Sequence, residues 1–521
     1  FFIKEIKVVG NTKIPTTRIK KVVSEYENRE ISLAELMELS DKITAIYASK
    51  GYVTSQAYLP PQQIENQTVT IQIIEGEYGK FFIEGGRFTR SSIVRRRLKK
   101  HPGQIFNYND LRKDLMYLNI NPDRIVKATM LRGEEPKTTD FKVVIKDGPP
   151  LHFGYDISNT GSKFTGNWLH TYKATNTGAL MYDDTLSVRL IRSENGRMFG
   201  GILGYVLPVN EHGTTMSISF SHFETWSMHG LKEFDIKSWS DTYSGTFSQP
   251  IFDIGFLSGT ADVAMDIKNS LTEMVAMPYS RVRLRILKTG ITLEESDKWG
   301  RTVFRNQLDF CDNTWLGSGV LYFQNPERPK PDANFIKYSF RVSRLNVLPL
   351  SATLLLSAEG QVSNNALYSS EQHRIGGAYS VRGYTEAKAL GDNGINITSE
   401  IRFPLYFIPE KAYICNLSPR QMIQGVAFLD GGAVQLHDPF TDAKKIQRLM
   451  GAGFGFRISI MNAISARLDV AWGIGSPMTM GRDALIHLYA SYEDPTLQDR
   501  ESLLQTILYN KVQSKMNAVG S

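Results

Sequence analysis

The chain is poor in cysteine and has no long hydrophobic run. Its 521 residues include only two cysteines, Cys311 and Cys415, which are far apart in sequence. Two such cysteines supply neither a disulfide framework nor a set of metal ligands. No uninterrupted apolar stretch approaches the roughly 18 residues that indicate a transmembrane helix. A transmembrane β-barrel stays open, because alternating lipid-facing and lumen-facing residues give it only a modest mean hydropathy.

Charge and motifs argue against two further classes of function. The net charge of +7 is spread along the chain, and the only dense basic run is RSSIVRRRLKK at residues 90–100. Neither aromatic nor groove-reading elements accompany this run, so we interpret it as a solvated helix face and expect no nucleic-acid partner. The chain has no GxSxG, no HExxH and no cluster of His or Cys, so we expect no enzyme, cofactor or metal site. His373 is interpreted as an ordinary loop histidine.

Residues 1–149 have the periodicity of a soluble α/β region. FFIKEIKVVGN reads as a strand, and ISLAELMELSDKITAIYASKGY has apolar residues at helical spacing and ends at Gly51, which suits a C-cap. Two strands, VTSQAYLPPQ and TVTIQIIEG, follow. The order strand, helix, helix, strand, strand then recurs more loosely. A repeated unit of about 75 residues predicts two tandem domains, at residues 1–77 and 78–149.

After residue 150 the helical periods stop and long runs with period two begin. In ISARLDVAWGI, Ile464, Leu468 and Trp472 share one face, while Arg467 and Asp469 lie on the other. Runs of this length fit transmembrane strands of about 9–11 residues better than sandwich strands of about 5–6. The sequence therefore predicts an all-β antiparallel transmembrane barrel of sixteen strands. The runs are 151–159, 167–176, 184–194, 198–208, 213–226, 237–252, 257–270, 279–292, 301–313, 333–347, 351–363, 394–405, 422–436, 448–460, 464–475 and 484–493.

The strand order predicts which connections face outward. If residues 1–149 lie in the periplasm, the first strand runs outward, and the long connections 314–332 and 364–393 are surface loops. Loops of such length are unusual unless they are functional. Cys311 then lies near the outer end of the ninth strand and Cys415 on the periplasmic side, so we expect no disulfide between them.

Several motifs resemble one known family. The sixth surface loop, 364–393, contains Val381, Arg382, Gly383 and Tyr384 as VRGY, and GVAFLDGG supplies Phe428-x-Asp430. YxxKGYxxSxAYLPPQ followed by VTIQIIEG resembles the first of two polypeptide-transport-associated (POTRA) domains. Two such domains before a sixteen-stranded barrel at 150–493 resemble the two-partner secretion transporters, the haemolysin and filamentous-haemagglutinin exporters. The resemblance implies an outer-membrane pore of a diderm bacterium, with its POTRA domains in the periplasm.

The resemblance also implies a site. In this family the sixth loop folds into the lumen and its arginine meets the F-x-D aspartate, here Arg382 and Asp430, with Phe428 beside them. A glycine-lined wall would make room for the loop. The glycines predicted to form it are Gly431, Gly432, Gly451, Gly453 and Gly455. A bend in the barrel wall is the alternative interpretation of these glycines, whereas a phosphate loop is excluded because no helix follows.

The implied partners are an unfolded secreted client, captured by strand pairing with the POTRA domains, and outer-membrane lipid; we expect a monomer. An insertase of the same superfamily is the alternative function and a passive porin a remoter one, but porins need neither POTRA domains nor a VRGY loop. The family's plug helix does not precede the first strand here, so whether it is cleaved, unresolved or absent stays open.

The C-terminal segment, residues 494–521, continues past the last predicted strand. SLLQTILYNKV places Leu503, Leu504, Ile507, Leu508 and Val512 at helical spacing. This segment is either a frayed tail or a short periplasmic helix that packs on the POTRA domains or restricts the pore.

Overall fold

The computed structural model divides into two compact units, residues 1–149 and 150–521. It describes residues 2–98, 103–180, 183–210, 212–227, 235–275, 277–314, 316–322, 331, 333–409, 419–439, 445–474 and 484–500.

The first unit contains two copies of one small α/β arrangement. Its elements are β1 (Phe2–Ile3), β2 (Glu5–Val9), α1 (Thr16–Val23), β3 (Arg29–Glu30), α2 (Leu33–Ser49), β4 (Gln56–Tyr58), β5 (Thr68–Ile74), β6 (Glu77–Gly85), α3 (Ser91–Arg97), α4 (Tyr108–Leu118), β7 (Arg124–Arg132) and β8 (Thr138–Asp147). One sheet has the order β2-β5-β4 and the other β6-β8-β7. In both, the last strand lies in the middle, parallel to the first and antiparallel to the second.

The helices of this unit follow from local sequence. Ser32 and Glu35 form a capping box at the start of α2, which satisfies backbone donors that the helix leaves free. Leu36, Leu39 and Ile43 then lie on one buried face of α2. Burying each such side chain stabilises the fold by about 1.5–3 kcal/mol.

The basic run begins on α3, where Val94 is buried while Arg95 and Arg96 are exposed, as on a solvated helix face. In the described part of the chain, no helix is both long enough and apolar enough to span a membrane.

The second unit is a closed antiparallel barrel. Its strands are β9 (Leu151–Ser158), β10 (Leu169–Asn176), β11 (Thr185–Ser193), β12 (Met198–Pro208), β13 (Thr215–Trp226), β14 (Lys237–Asp253), β15 (Leu257–Met274), β16 (Met277–Asp297), β17 (Gly300–Cys311), β18 (Gly319–Tyr322), β19 (Phe335–Val347), β20 (Thr353–Ser363), β21 (His373–Ile375), β22 (Ala389–Gly391), β23 (Asn393–Pro404), β24 (Ile423–Gln435), β25 (Ile446–Ile460), β26 (Ile464–Gly473) and β27 (Leu485–Glu493), with a short helix, α5 (Pro419–Met422), before β24. β18 is a short strand that pairs with the beginning of β16, and β21 and β22 pair with each other in the connection between β20 and β23. The other sixteen strands form the barrel, which closes when β27 pairs with β9. The predicted sixteen-stranded barrel is confirmed.

Alternation along each strand separates the lumen from the outer surface. On β26, Ile464, Leu468 and Trp472 are exposed on the outside, while Asp469 and Ala471 are fully buried on the inside. Because side chains alternate between the faces of a strand, one residue of register decides which face a group occupies. Charged side chains on the inner face can therefore meet across several strands.

Two predictions fall mainly outside the described residues. The predicted tail helix, 503–512, lies outside them. Residues 497–500 form a helical turn, in which Thr496 Oγ1 accepts a hydrogen bond from the Asp499 N–H at 3.2 Å. Cys311 is a buried free thiol. Cys415 lies outside the described residues, so the absence of a disulfide stays a prediction.

Candidate functional site

The connection between β20 and β23 folds back against the inner wall of the barrel. Within it, β21 and β22 pair as a short antiparallel ladder, which carries the tip of the loop. Ile375 and Val381 are fully buried and pack together with Val434 of β24. We call residues 364–392 the inner loop and the strands β23 to β26 its wall.

Arg382 makes the central contact between the inner loop and the wall. Its Nε donates to Asp430 Oδ2 at 2.6 Å, and its Nη2 donates to Asp430 Oδ1 at 2.9 Å. The Arg382 backbone N–H donates to the same carboxylate at 3.1 Å. The structure thus brings the predicted pair together, in a fork that fixes both orientation and distance.

Two further carboxylates contact the same guanidinium. Arg382 Nη1 donates to Glu400 Oε2 at 2.7 Å and to Asp469 Oδ2 at 3.3 Å. Glu400, Asp430 and Asp469 come from β23, β24 and β26, and each is at most 3% exposed. One loop side chain therefore contacts three strands of the wall.

Other arginines compensate the buried carboxylates. Arg457 donates to Asp469 Oδ1 at 2.6 Å and to Glu400 Oε2 at 2.8 Å. Arg402 donates to Glu400 Oε1 at 2.8 Å, and Arg467 donates to Asp469 Oδ2 at 2.6 Å. Four guanidiniums thus surround three carboxylates. Such connectivity matters because an unpaired buried charge is strongly destabilising.

Arg467 also reaches the inner loop directly, since its Nη2 donates to the Ala378 carbonyl oxygen at 2.8 Å. The ring of Phe428 lies under the Arg382 guanidinium, with 3.3 Å between Cζ and the ring centroid. This cation–π contact satisfies the face of the guanidinium while its edge donates to carboxylates.

The remaining VRGY residues fix the backbone of the tip. Gly383 has φ +92°, and a Cβ there would lie 2.6 Å from the Trp472 carbonyl carbon, so both conformation and space require glycine. The Gly383 N–H donates to His487 Nε2 at 3.3 Å, and the Tyr384 hydroxyl donates to the Met450 carbonyl oxygen at 3.1 Å.

The wall glycines have different roles. A Cβ on Gly451 would collide with the Arg382 carbonyl oxygen, and one on Gly432 would lie 2.9 Å from Val381 Cγ2. These two glycines make room for the loop itself. A Cβ on Gly453 or Gly455 would collide first with a backbone carbonyl oxygen of β26, at Val470 or Leu468, and next with the Phe428 ring or the Asp469 carboxylate. These two glycines allow close approach of β26 and also make room for side chains that contact Arg382.

The prediction for Gly431 is wrong. A Cβ on Gly431 would meet no atom within 4 Å, since its neighbours Asp430 and Gly432 face the inner loop and Gly431 points to the other side. The strand alternation that places Asp430 inside excludes Gly431 from the same face.

Several residues of the site were not predicted to belong to it. Glu400 and Asp469 lay on polar faces of predicted strands and Arg457 at the end of GAGFGFR, but nothing in the sequence indicated that they converge. A Cβ on Gly473 would lie 2.8 Å from the Tyr384 ring, and this glycine was also missed. His373, interpreted as an ordinary loop histidine, is buried in β21, where its Nε2 hydrogen-bonds Asn396 Oδ1 at 2.9 Å.

The inner loop has a second ionic anchor, of opposite sign. Glu371, 4% exposed, accepts from Lys268 Nζ of β15 at 2.7 Å and from Lys337 Nζ of β19 at 2.8 Å. Lys337 Nζ also lies 3.2 Å from Asp309 Oδ2 of β17. The loop therefore contributes a cation to one set of strands and an anion to another, and these two contacts hold it at separate points.

Comparison with known proteins decides the family. A model described as "POTRA domain, ShlB-type" matches residues 1–76, and one described as "Haemolysin secretion/activation protein ShlB/FhaC/HecB" matches residues 137–458, more than half of the chain. The chain belongs to this haemolysin secretion/activation family. It is an outer-membrane translocation pore of two-partner secretion, with its POTRA region in the periplasm.

Individual relatives agree with this assignment. "Outer membrane transporter CdiB" of Dickeya dadantii is 24% identical over 503 residues, which cover 93% of this chain and 85% of that protein. "Heme/hemopexin transporter protein HuxB" of Haemophilus influenzae is 21% identical over 428 residues, covering 80% and 75%. The solved structure of CdiB from Escherichia coli has a TM-score of 0.74 at 20% identity, covering 95% of this chain and 90% of that one, and shows the same fold.

Two glycines near the contact between Arg382 and its carboxylates provide a matched test of how the inner loop packs on the wall. We expect Gly451→Ala to displace the inner loop, because the new Cβ meets the Arg382 carbonyl oxygen, and Gly431→Ala to change nothing, because its Cβ meets open space. Single-channel recording in planar bilayers should show more frequent high-conductance openings for Gly451→Ala alone. Equal behaviour of the two variants would contradict the assignment of Gly451 to loop seating.

The Glu371 anchor predicts strong coupling with Lys337. In a double-mutant cycle of Glu371→Gln and Lys337→Met, the single changes should each cost about 1.5–3 kcal/mol of barrel stability, because each removes one charged hydrogen bond from a buried charge that keeps a single other partner, Asp309 for Lys337 and Lys268 for Glu371. The exposed pair Arg341–Glu359 on β19 and β20 is the control and should show a coupling of about 0–1 kcal/mol. The midpoint of urea unfolding in detergent gives the stability of each variant, and from these values the coupling in both cycles. A coupling at 371–337 no larger than that of the control would show that Glu371 does not anchor the loop.

Proposed function

We propose that the inner loop is the gate of this pore, and that the client passes only after Arg382 has left its carboxylates. The support is the number and type of contacts at Arg382. Its side chain contacts three carboxylates and one aromatic face, and the backbone N–H groups of Arg382 and Gly383 donate to Asp430 and His487. Such a set holds one geometry. A buried ion pair specifies an arrangement more reliably than it adds net stability. A gate needs that property, because its closed state must be unique and yet reversible.

Arg382 can leave transiently without leaving all three carboxylates unpaired. When Arg382 leaves, Arg402, Arg457 and Arg467 still contact Glu400 and Asp469. Asp430 has Arg382 as its only ion-pair partner in the described part of the chain, so Asp430 carries most of the cost of opening. Client segments or water entering the lumen would then solvate it.

We propose further that the client pairs with an open sheet edge of the periplasmic unit, and β7 is the best-supported edge. β7 pairs with β8 on one side only. Asn119 covers the free edge at Val126, accepting from its N–H at 2.6 Å and donating to its carbonyl oxygen at 3.0 Å.

Because backbone groups alternate in direction along a strand, the N–H and C=O groups of Ala128 and Met130 point to the same free edge as those of Val126. Among the described residues, no backbone hydrogen bond covers these two. An extended client can add a strand at such an edge.

We also propose that the pore is monomeric and non-catalytic. Sixteen strands of one chain close on themselves, so the lumen needs no second subunit. Export of an unfolded client needs no bond-making chemistry in the pore, and folding of the client outside the cell would give the process its direction. The client is a large secreted protein, which we expect to be encoded by the adjoining reading frame.

Arg382 variants test the gate. We expect Arg382→Ala to reduce secretion of the adjoining gene's product while the barrel still assembles, because the loop loses its defined closed state. Arg382→Lys keeps the charge but loses the fork and should be intermediate. Arg341 also faces the lumen, but its ion pair with Glu359 is exposed, so Arg341→Ala is the control.

The readouts are the exoprotein in the medium and heat-modifiable mobility of the barrel. Wild-type secretion by Arg382→Ala would show that the pair is dispensable. Loss of other outer-membrane barrels instead of the exoprotein would identify an insertase.

Met130 variants test the client edge. Met130→Pro removes the outward N–H, and proline is tolerated at such edge positions, so the unit should stay folded. We expect secretion to fall about 2- to 10-fold, as for loss of one intermolecular hydrogen bond, whereas Met130→Ala keeps the N–H and should secrete normally. If both variants secrete equally, β7 is not the pairing edge.

A further inference from the structure

Three arginines of β16 face away from the lumen. The segment RVRLRI alternates Arg281, Arg283 and Arg285 with Val282, Leu284 and Ile286. The three apolar residues are at most 9% exposed and pack inside the barrel with Leu367 and Tyr368 of the inner loop. Because a strand alternates its faces, the arginines lie on the outer surface. Arg281 and Arg283 are exposed and Arg285 is half-buried.

The position of these arginines along β16 places them at the outer leaflet. β16 is the eighth spanning strand and runs inward, so its first residues are outermost. Leu287, Ile291 and Leu293 follow on the same face. Arg285 and Glu295 bound this apolar stretch and are ten residues apart. At about 3.3 Å per residue and a tilt of about 40°, ten residues span roughly 25 Å of membrane depth, which is the height of the apolar band. Arg285 therefore marks the outer boundary, and Arg283 and Arg281 lie above it.

The charges of these arginines have no carboxylate partner within the described parts of the chain. Arg285 Nη1 donates to Asn269 Oδ1 at 3.1 Å and to the Lys268 and Leu284 carbonyl oxygens at 3.2 and 3.0 Å. On the same outer face, Asn269 of β15 lies beside Arg283. Asp241 of β14 lies on the far side of Asn269 and contacts His222 at 2.7 Å. The three guanidiniums lie along one strand, over roughly 10 Å of depth above the apolar band, and can bind an external anion there.

We propose that Arg281, Arg283 and Arg285 bind the phosphate groups of lipid A in the outer leaflet. Their Cα atoms are spaced about 6.6 Å apart, so neighbouring side chains can hold one phosphate in common or two phosphates separately. Guanidinium forks match phosphate oxygens bidentately. The adjacent face of Leu287 and Ile291 would contact the acyl chains of the same lipid. This outer-membrane lipid site fixes the depth and rotation of β16, whose inner face packs against the inner loop.

Lipid binding by the full chain in detergent tests this site. The probes are diphosphoryl lipid A, monophosphoryl lipid A and inorganic phosphate, and the readout is the Kd from thermophoresis. The test variant is R281Q/R283Q/R285Q. R18Q/K20Q/K21Q removes the same charge from exposed positions of the periplasmic unit and is the matched control. Heat-modifiable mobility verifies that both barrels are folded, and R281K/R283K/R285K separates charge from fork geometry if the glutamine variant fails to fold.

We expect wild type to bind diphosphoryl more tightly than monophosphoryl lipid A. The triple glutamine variant should lose at least about tenfold in affinity, because three cations near an anionic surface are removed, and the control should stay within about twofold of wild type. Equal binding by the triple glutamine variant, or equal affinity for both lipids, would overturn the proposal. Full competition by millimolar inorganic phosphate would identify a free-anion site and overturn the lipid assignment. Wild type that binds neither lipid but binds an acidic peptide would assign the stripe to a protein partner.

Discussion

A guanidinium buried inside a membrane barrel is the interaction on which the site depends. A charge can be buried only if it is paired and hydrogen-bonded, and Arg382 meets that condition with carboxylates from three strands. The carboxylates in turn need Arg402, Arg457 and Arg467. The loop tip must lie close enough to the wall for these contacts, which explains glycine at 432 and 451. Gly453 and Gly455 allow close approach of the β26 backbone and make room for Phe428 and Asp469.

The inner loop links two parts of the barrel wall that do not lie side by side. Arg382 contacts β23, β24 and β26, while Glu371 contacts β15 and β19. The two anchors have opposite signs, so the loop adds no net charge through them. Movement of the tip therefore need not release the base of the loop. Two separate anchors of this kind suit a gate that opens at Arg382 and stays tethered at Glu371.

The sequence predicted those features that depend on local pattern. Alternation in segments such as ISARLDVAWGI indicated transmembrane strands and their count, and VRGY with F-x-D indicated the Arg382–Asp430 pair. Glu400, Asp469 and Glu371 were missed because their partners lie on other strands, and only barrel closure brings them together. Gly431 was assigned wrongly because two adjacent glycines were taken as one wall, although neighbouring residues of a strand face opposite sides. The pairing of distant lumen charges is a property of register and not of any local segment.

A reversible tether between the inner loop and its wall tests the gate most directly. A Cβ on Gly432 would lie 2.9 Å from Val381 Cγ2, so cysteines at 381 and 432, in a chain with Cys311 and Cys415 replaced by serine, are close enough for a disulfide. We predict that oxidation of the Val381→Cys/Gly432→Cys variant stops export of the client and that a reductant restores it, while Val381→Cys alone and Gly432→Cys alone each export equally under both conditions. Undiminished export through a pore whose loop is quantitatively cross-linked to the wall would contradict it.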